Sequence, residues 1–437
     1  MQTKLPTSKA STEGLQRGIR KWDLVAVAIN GIIGAGIFGL PAKAYALIGS
    51  YSLIAFIACA LVVALFILCF AEVGSRFDET GGPYRYAREA FGQTVGFEVG
   101  WLTWLARVTA FAANCNLMVS YAGFFWPGAN HPAGRALIII GVVIALAAVN
   151  ITGVRQTAIT SDVFTIGKLV PLLIFIVAGL FFLNPSAFAL GPRPAAGAFS
   201  QSVLLLIYAF TGFEMAVIPA GEIRNPQRNL PRALLIASGV VAVVYIFIQV
   251  VCIGTLPGLG DSTKPLADAA QRFLGTTGAA IISAGAVISI AGNLNILLLS
   301  GSRIPFAIAE EKQLPAFIAR LHRRTFTPYI SIVITAAVML VLTLKSSFLA
   351  ALTISAIARL VTYAVTCAAL PVFRRRSDMP KAAFRLPGGT IIAIASLILA
   401  AWLVIHSTRK EAIVAGIAAA VGLLIYAGYR LYSTRTA

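Results

Sequence analysis

Residues 32–39 read Ile-Ile-Gly-Ala-Gly-Ile-Phe-Gly, with Gly31 just before them and Pro41 close behind. As a string this satisfies G-x-G-x-x-G, the fingerprint of a dinucleotide-binding turn. That turn needs a strand before it, a helix after it and an acidic residue about 20 positions further on. The context fails on strand and acid. Residues 22–30 open a long apolar run, and the nearest downstream acid, Glu72, lies at the far end of the next one. The glycines still need a reason, since each costs about 1 kcal/mol against alanine in a helix interior. Two readings fit: small residues that let membrane helices pack closely, or a helix broken at mid-membrane. Broken backbone at that depth is tolerated only where it is buried in protein or lines a cavity.

The membrane setting follows from composition. Hydrophobic residues make up 58% of the chain and charged residues 12%, with mean hydropathy +0.86. A soluble domain carries about 25% charged residues. Apolar runs long enough to span a bilayer fall at 22–48, 51–75, 95–125, 136–152, 159–183, 201–222, 233–256, 277–302, 329–344, 347–371, 390–407 and 412–432. The net charge of +19 is better read as topology than as a nucleic-acid footprint. Lys4, Lys9, Arg17, Arg20 and Lys21 precede the first run, and further Lys/Arg residues follow every even-numbered run, Arg155 alone after the fourth. Cytoplasmic loops carry such an excess, so a multi-pass protein of the cytoplasmic (inner) membrane with both termini cytoplasmic is expected. The polar start does not read as a cleavable signal. Cys59, Cys69, Cys115, Cys252 and Cys367 sit in apolar runs without paired spacing and read as small core residues.

A second weak helix lies in the sixth run. Tyr208-Ala209-Phe210-Thr211-Gly212-Phe213-Glu214 sets a Thr-Gly beside a carboxylate at membrane depth, and Pro219 and Gly221 follow. The first and sixth runs lie five spans apart, an odd offset, so the second copy runs the opposite way through the bilayer. Paired interruptions in two inverted halves point to a transporter's substrate site.

At these residues the chain resembles the amino acid–polyamine–organocation (APC) superfamily of permeases. The resemblance is carried by "GIIGAGIFGLP" (31–41), "TGGPYRYARE" (80–89), "FTGFEMAVIPAGEIRNPQRNLPRAL" (210–234) and "SRIPFAIAEEKQLP" (302–315). It implies an all-α polytopic membrane protein of twelve transmembrane helices with the leucine-transporter-type fold. That fold has two inverted five-helix repeats, here 22–183 and 200–371, plus two accessory spans in 388–433, after a cytoplasmic N-terminal segment 1–21.

A broken helix offers N–H groups to an anion and carbonyls to a cation, which suits an amino acid's carboxylate and ammonium. By resemblance, the backbone of Gly34, Ala35 and Gly36 holds the carboxylate, and carbonyls near Ile32, Tyr208 and Thr211, beside Gly212, hold the ammonium. Many relatives have Ser at the position of Ala35, so a hydroxyl is lost there while the N–H donors remain. Tyr208 falls where some relatives place an aromatic gate; ordinary core packing is the alternative.

Ionisable groups at membrane depth are costly and functional by default. Lys168 lies about ten residues into the fifth run, roughly 15 Å deep at 1.5 Å per residue. It resembles a span-five lysine that some relatives place where sodium-coupled cousins bind sodium. Desolvation disfavours a buried charged lysine, so Lys168 is either a proton carrier or a fixed tether to the first span. Glu214 aligns with an acid that some relatives use as a proton or pH switch; a static hydrogen-bond partner is the alternative. Arg107 either lines the pocket or pairs with Glu214, and Arg359 reads as a structural tether. Asn114, Asn116, Asn293 and Asn295 are buried polar candidates, for the pocket or for interhelical bonds.

Two peripheral features complete the reading. Glu72, Arg76, Glu222, Arg224, Arg228, Glu310 and Glu311 cluster at span ends as a candidate inner gate of ion pairs, and 303–324 reads as a short amphipathic helix. A membrane enzyme is disfavoured, because His131, His322 and His406 lie far apart in sequence and no intramembrane Asp pair exists. The expected function is a secondary permease for L-amino acids, proton-coupled or exchanging, with neutral amino acids as cargo. Alternatives are a cationic amino acid or polyamine transporter, an exchanger without proton coupling, and a non-transporting amino acid sensor. No metal or organic cofactor is expected, a proton is the expected coupling ion, and the assembly is read as a monomer or homodimer in the bilayer without nucleic acid.

Overall fold

The computed structural model describes residues 19–436 apart from 79–80, 153, 219, 221–222, 326 and 408. Pro219, Gly221 and Glu222, part of the sixth-span and inner-gate readings, therefore lie outside the described residues, as do Lys4, Lys9 and Arg17. Among the described residues the regular structure is helical, and the one β feature is a parallel bridge between Ile19 and Ile223.

The first apolar run forms two helices, α1 (Lys21–Ile32) and α2 (Gly36–Ile48). Then follow α3 (Ser52–Gly74), a short surface helix α4 (Pro83–Phe91) and α5 (Gln93–Ala122). Helices α6 (Pro132–Thr152) and α7 (Val154–Gly179) carry the fourth and fifth runs. The sixth run gives α8 (Ala196–Phe210), which stops at Thr211 and is succeeded by a 3-10 turn, Phe213–Met215. The remaining runs form α9 (Pro226–Thr255), α10 (Pro265–Glu310, kinked at Gly275 with φ +64°), α11 (Tyr329–Lys345), α12 (Phe348–Arg375), α13 (Gly389–Ile405) and α14 (Arg409–Thr436).

Among the described residues, seven helical stretches have the length and apolarity to cross a membrane, and three shorter helices are also apolar. The outward faces agree. Phe181 is 83% exposed, Ile405 77% and Leu61 65%, an arrangement that suits contact with acyl chains. The chain is a multi-pass membrane protein. Its five cysteines are buried and free, as core residues should be.

Helix α5 is the central post, packed against α10, α11 and α12. A second group forms where α1 and α3 pack on α9, and α2 and α3 on α8. Helix α7 touches both groups, through α10 and through α1 and α9. The two broken stretches thus lie between the groups. Arg224 N–H donates to Ile19 O (2.9 Å), tying the chain before α1 to the chain after the second break.

One sequence expectation is corrected. Residues 303–324 are not an independent amphipathic helix. Helix α10 runs through Pro305 to Glu310, Lys312 turns at φ +57°, and only a 3-10 turn, Ala316–Ala319, follows. Ile308 and Leu314 pack in a small apolar cluster with Phe97 and Tyr426, and this burial carries the helix past the proline.

Candidate functional site

The first break is three residues long. Ile33 is extended (φ −74°, ψ 91°), which ends α1, and α2 restarts at Gly36. The first N–H groups of a helix have no intrahelical acceptor. In α2 the N–H of Phe38 finds Ala35 O at 3.1 Å, whereas those of Gly34, Ala35 and Gly36 have no acceptor among the described residues. All three flank the gap.

The second break is built from Thr211, extended at φ −86° and ψ 164°, and Gly212, left-handed at φ +115°. Only glycine adopts the second conformation without strain. Gly212 is also seated against the carbonyl of Gly31, and a Cβ on Gly31 would lie 2.7 Å from Gly212 O. The two breaks therefore touch backbone to backbone. Gly36 packs equally tightly on Ala209, whose Cα would lie 2.7 Å from an added Cβ, while Gly34 faces the Asn293 amide at 3.1 Å.

Between the breaks lies a cavity of about 20 Å³, room for little more than a water-sized probe. Gly31, Ile32, Gly34, Ala35 and Gly36 line it from α1–α2, and Tyr208, Thr211 and Met215 from the second break. Ala110 and Asn114 of α5, Asn293 of α10 and Arg359 of α12 close it. Gly212 packs on Gly31 but does not line the cavity. An amino acid needs more volume, so binding requires the two broken stretches to part.

The polar side chains here form one chain of hydrogen bonds. Tyr208 Oη donates to Ala110 O (3.1 Å) and to Asn114 Oδ1. Asn114 Nδ2 donates to Asn293 Oδ1 (2.6 Å), and Asn293 Nδ2 reaches Asn30 O and Gly31 O, both at 3.3 Å. Lys168 Nζ meets the same end of α1, donating to Ile33 O (2.9 Å), Asn30 O (3.2 Å) and Asn30 Oδ1. The carbonyl end of α1 thus holds a fully buried ammonium, as expected of a helix C-terminus.

Glu214 sits just below Gly212. Its Oε1 accepts from Arg107 Nη1 (2.8 Å) and Arg359 Nη1 (2.6 Å); its Oε2 accepts from Tyr363 Oη (2.6 Å) and Gly212 N–H (2.9 Å). All three charged side chains are at most 5% exposed. Removing one partner of such a buried cluster typically costs about 3–5 kcal/mol.

The sequence model of the amino acid permease family matches residues 19–426. The chain belongs to the amino acid permease family. Family members and relatives are transporters rather than enzymes. The permease is 29% identical over 427 residues to an uncharacterised transporter of Mycobacterium tuberculosis, covering 96% of this chain and 93% of that one. It is 29% identical over 386 residues to a serine/threonine exchanger of Bacillus subtilis, covering 86% and 87%. To the large neutral amino acids transporter small subunit 2 of Mus musculus it is 27% identical over 442 residues, covering 96% and 82%.

In the permease, then, Ile32, Gly34, Ala35, Gly36, Tyr208, Thr211 and Asn114 share one cavity. Lys168 lies behind α1, and Glu214 with Arg107 lies toward the α5 N-terminal end. Asn116 is not in the cavity; it bonds Arg135 Nη2 (2.6 Å) at the far end of α5. Asn295 pairs with Asn150 (2.9 Å). The candidate gate resolves into separate groups, Glu72 with Arg374 (2.6 Å) and Arg76 (3.6 Å), and Arg88 with Glu311 (2.6 Å). Sequence reasoning missed Tyr245. Its Oη donates to Ile32 O and Ala209 O, both at 3.2 Å, bridging the carbonyl ends of α1 and α8. A lone tyrosine in an apolar span carries no signal of that role.

Proposed function

We propose that this permease is a secondary transporter of L-amino acids that works by alternating access in the cytoplasmic membrane, with both termini cytoplasmic. The α-carboxylate binds the N–H groups of Gly34, Ala35 and Gly36. The ammonium binds carbonyls at Ile32, Tyr208 and Thr211; Ile32 O, which accepts from Tyr245 Oη, and Tyr208 O, which accepts from Thr211 Oγ1, each have a second lone pair. The observation that carries the reading is the contact of the two breaks at Gly31 and Gly212 around one cavity. The names of the serine/threonine exchanger and the large neutral amino acids transporter support amino acids as cargo and neutral ones as the first to test.

The helix pairings support the leucine-transporter arrangement of twelve spans with repeats 22–183 and 200–371. Counting α1–α2 as the first span and α8 as the sixth, adding or subtracting five turns several packed pairs into others. The pair α1·α9 becomes α8·α3, α7·α10 becomes α12·α5, and α7·α9 becomes α12·α3.

Lys168 is the proton carrier in this account. It touches the carbonyls that must rearrange when the first break opens, and among the described residues no carboxylate is one of its partners. The surroundings of Glu214 favour the static role, since both oxygens are fully engaged. A cationic substrate is disfavoured, because among the described residues three cations, Lys168, Arg107 and Arg359, stand at the breaks beside one carboxylate, Glu214.

The test compares ligands by thermal stabilisation of the purified protein, which any ligand of the folded state must raise. A neutral L-amino acid should stabilise it, while the methyl ester and the N-acetyl derivative of the same amino acid should not. Equal stabilisation by all three would refute recognition of the carboxylate and ammonium by the breaks.

A further inference from the structure

We infer that the permease holds a second anion seat, made by Arg359 and Arg107 at the Glu214 end of the cavity, which takes a carboxylate-like or halide anion. This rests on the transporter reading and extends its ligand chemistry.

The first ground is charge. Around the cavity and the cluster beneath it, Lys168, Arg107 and Arg359 are cationic, and Glu214 is the one carboxylate among the described residues in contact with them. A zwitterionic amino acid brings no net charge to this excess. Buried charges are kept in proteins by pairing, so an anion is the ligand that completes the set.

The second ground is an unpaired donor set. Arg107 is 1% exposed, yet its Nε and Nη2 find no acceptor among the described residues; only Nη1 is bonded, to Glu214. Buried polar atoms are ordinarily satisfied, and a guanidinium presents its donors as a fork that suits a carboxylate.

The third ground is position. Arg107, Ala110 and Asn114 follow helical spacing along one face of α5, and Ala110 and Asn114 line the cavity. Arg359 lines it directly. Its Nη1 bonds Glu214 and its Nε bonds Ser355 Oγ (3.3 Å). Arg107 lies one helical turn before Ala110 and does not itself line the cavity, so the seat meets the space of the α2 amides through Arg359. One ligand with two acid groups can reach both ends, and a neutral amino acid can share the cavity with a small free anion. Both sources supply the same chemistry.

The experiment measures binding to the purified full chain in nanodiscs. L-glutamate is set against L-glutamine and L-aspartate against L-asparagine, each in chloride and in gluconate, an anion bulkier than any of the four amino acids. A charge-assisted bond separates such pairs by about tenfold or more. If the anion is the substrate's own, the acid binds tighter than its amide by that factor in gluconate. If it is free, chloride raises the affinity for the amide by that factor instead. In Arg107→Gln either preference collapses, and Arg107→Lys, which keeps the charge if Arg107→Gln does not fold, retains most of it. Neutral amino acids that bind with no acid preference and no chloride effect would overturn the seat and leave the transporter reading standing. Failure of every amino acid to bind, with or without chloride, would overturn both.

Discussion

Gly31 and Gly212 meet backbone to backbone, so that a Cβ on Gly31 would lie 2.7 Å from Gly212 O. This contact joins the two interruptions into one site, and it leaves no room for a side chain on either residue. Overpacking of this kind costs about 1–3 kcal/mol, and Gly212 adds backbone strain at φ +115°. Gly31→Ala and Gly212→Ala should both lower the thermal midpoint and abolish uptake. Gly239→Ala, in α9 with nothing within 4 Å of its Cβ, should do neither. Normal uptake by Gly212→Ala would show that the breaks need not touch.

Glu214 is the hub of its cluster. Glu214→Gln leaves Arg107 and Arg359 facing each other without their counter-charge, and stability should fall by about 3–5 kcal/mol. Because both oxygens are engaged in fixed bonds, the pH profile of whatever uptake remains should keep its shape. A profile flattened by Glu214→Gln, with wild-type stability, would make Glu214 the titrating group instead.

Tyr245 ties both carbonyl ends together through Ile32 O and Ala209 O. Tyr245→Phe removes one donor shared by two acceptors, a loss of about 1 kcal/mol. Substrate affinity should change by less than about tenfold, while the maximal transport rate shifts, since the carbonyl ends are freed to move. Direct competition of Tyr245 for the ammonium would instead show as tighter binding in Tyr245→Phe.

At the opposite extreme, the two peripheral ion pairs differ in burial. Glu72 is fully buried and accepts Arg374 Nε (2.7 Å), Arg374 Nη2 (2.6 Å) and Leu386 N–H (2.8 Å), pinning residues 376–388 to α3. Arg88 and Glu311 are 30% and 43% exposed, and exposed pairs contribute at most about 1 kcal/mol. Limited proteolysis should cut within 376–388 far faster in Glu72→Ala than in the wild type. Arg88→Ala should be hard to tell from wild type. Comparable sensitivity in both variants would contradict this ranking.

Much of the site was legible because it breaks local rules. Glycines at 31, 34, 36 and 39 and Thr-Gly at 211–212 are costly inside apolar helices, and Lys168 and Glu214 are costly at membrane depth, so each announces itself. The register between the breaks was not legible. The glycines alone do not say that Gly31 meets Gly212 and Gly36 meets Ala209. Which small residues meet depends on how two helices approach, a tertiary matter that local cost does not encode. For the same reason Arg107 was foreseen as one possible partner of Glu214, but the joining of Arg359 and Tyr363, 145 and 149 residues away in sequence, was not. The helix continuing through Pro305 was hidden too, because packing at Ile308 outweighed a proline signal that normally marks an end.

The central claim is that the two breaks hold an amino acid that is moved with a proton carried by Lys168. Uptake of labelled L-amino acids into proteoliposomes, with and without an inward proton gradient, tests it most directly. Uptake of at least one amino acid should be accelerated by the gradient in the wild type, and in Lys168→Ala, still folded and still binding, it should be indifferent to the gradient. Absence of any uptake or exchange would contradict the transporter reading, and gradient-driven uptake that persists in Lys168→Ala would contradict the proton role.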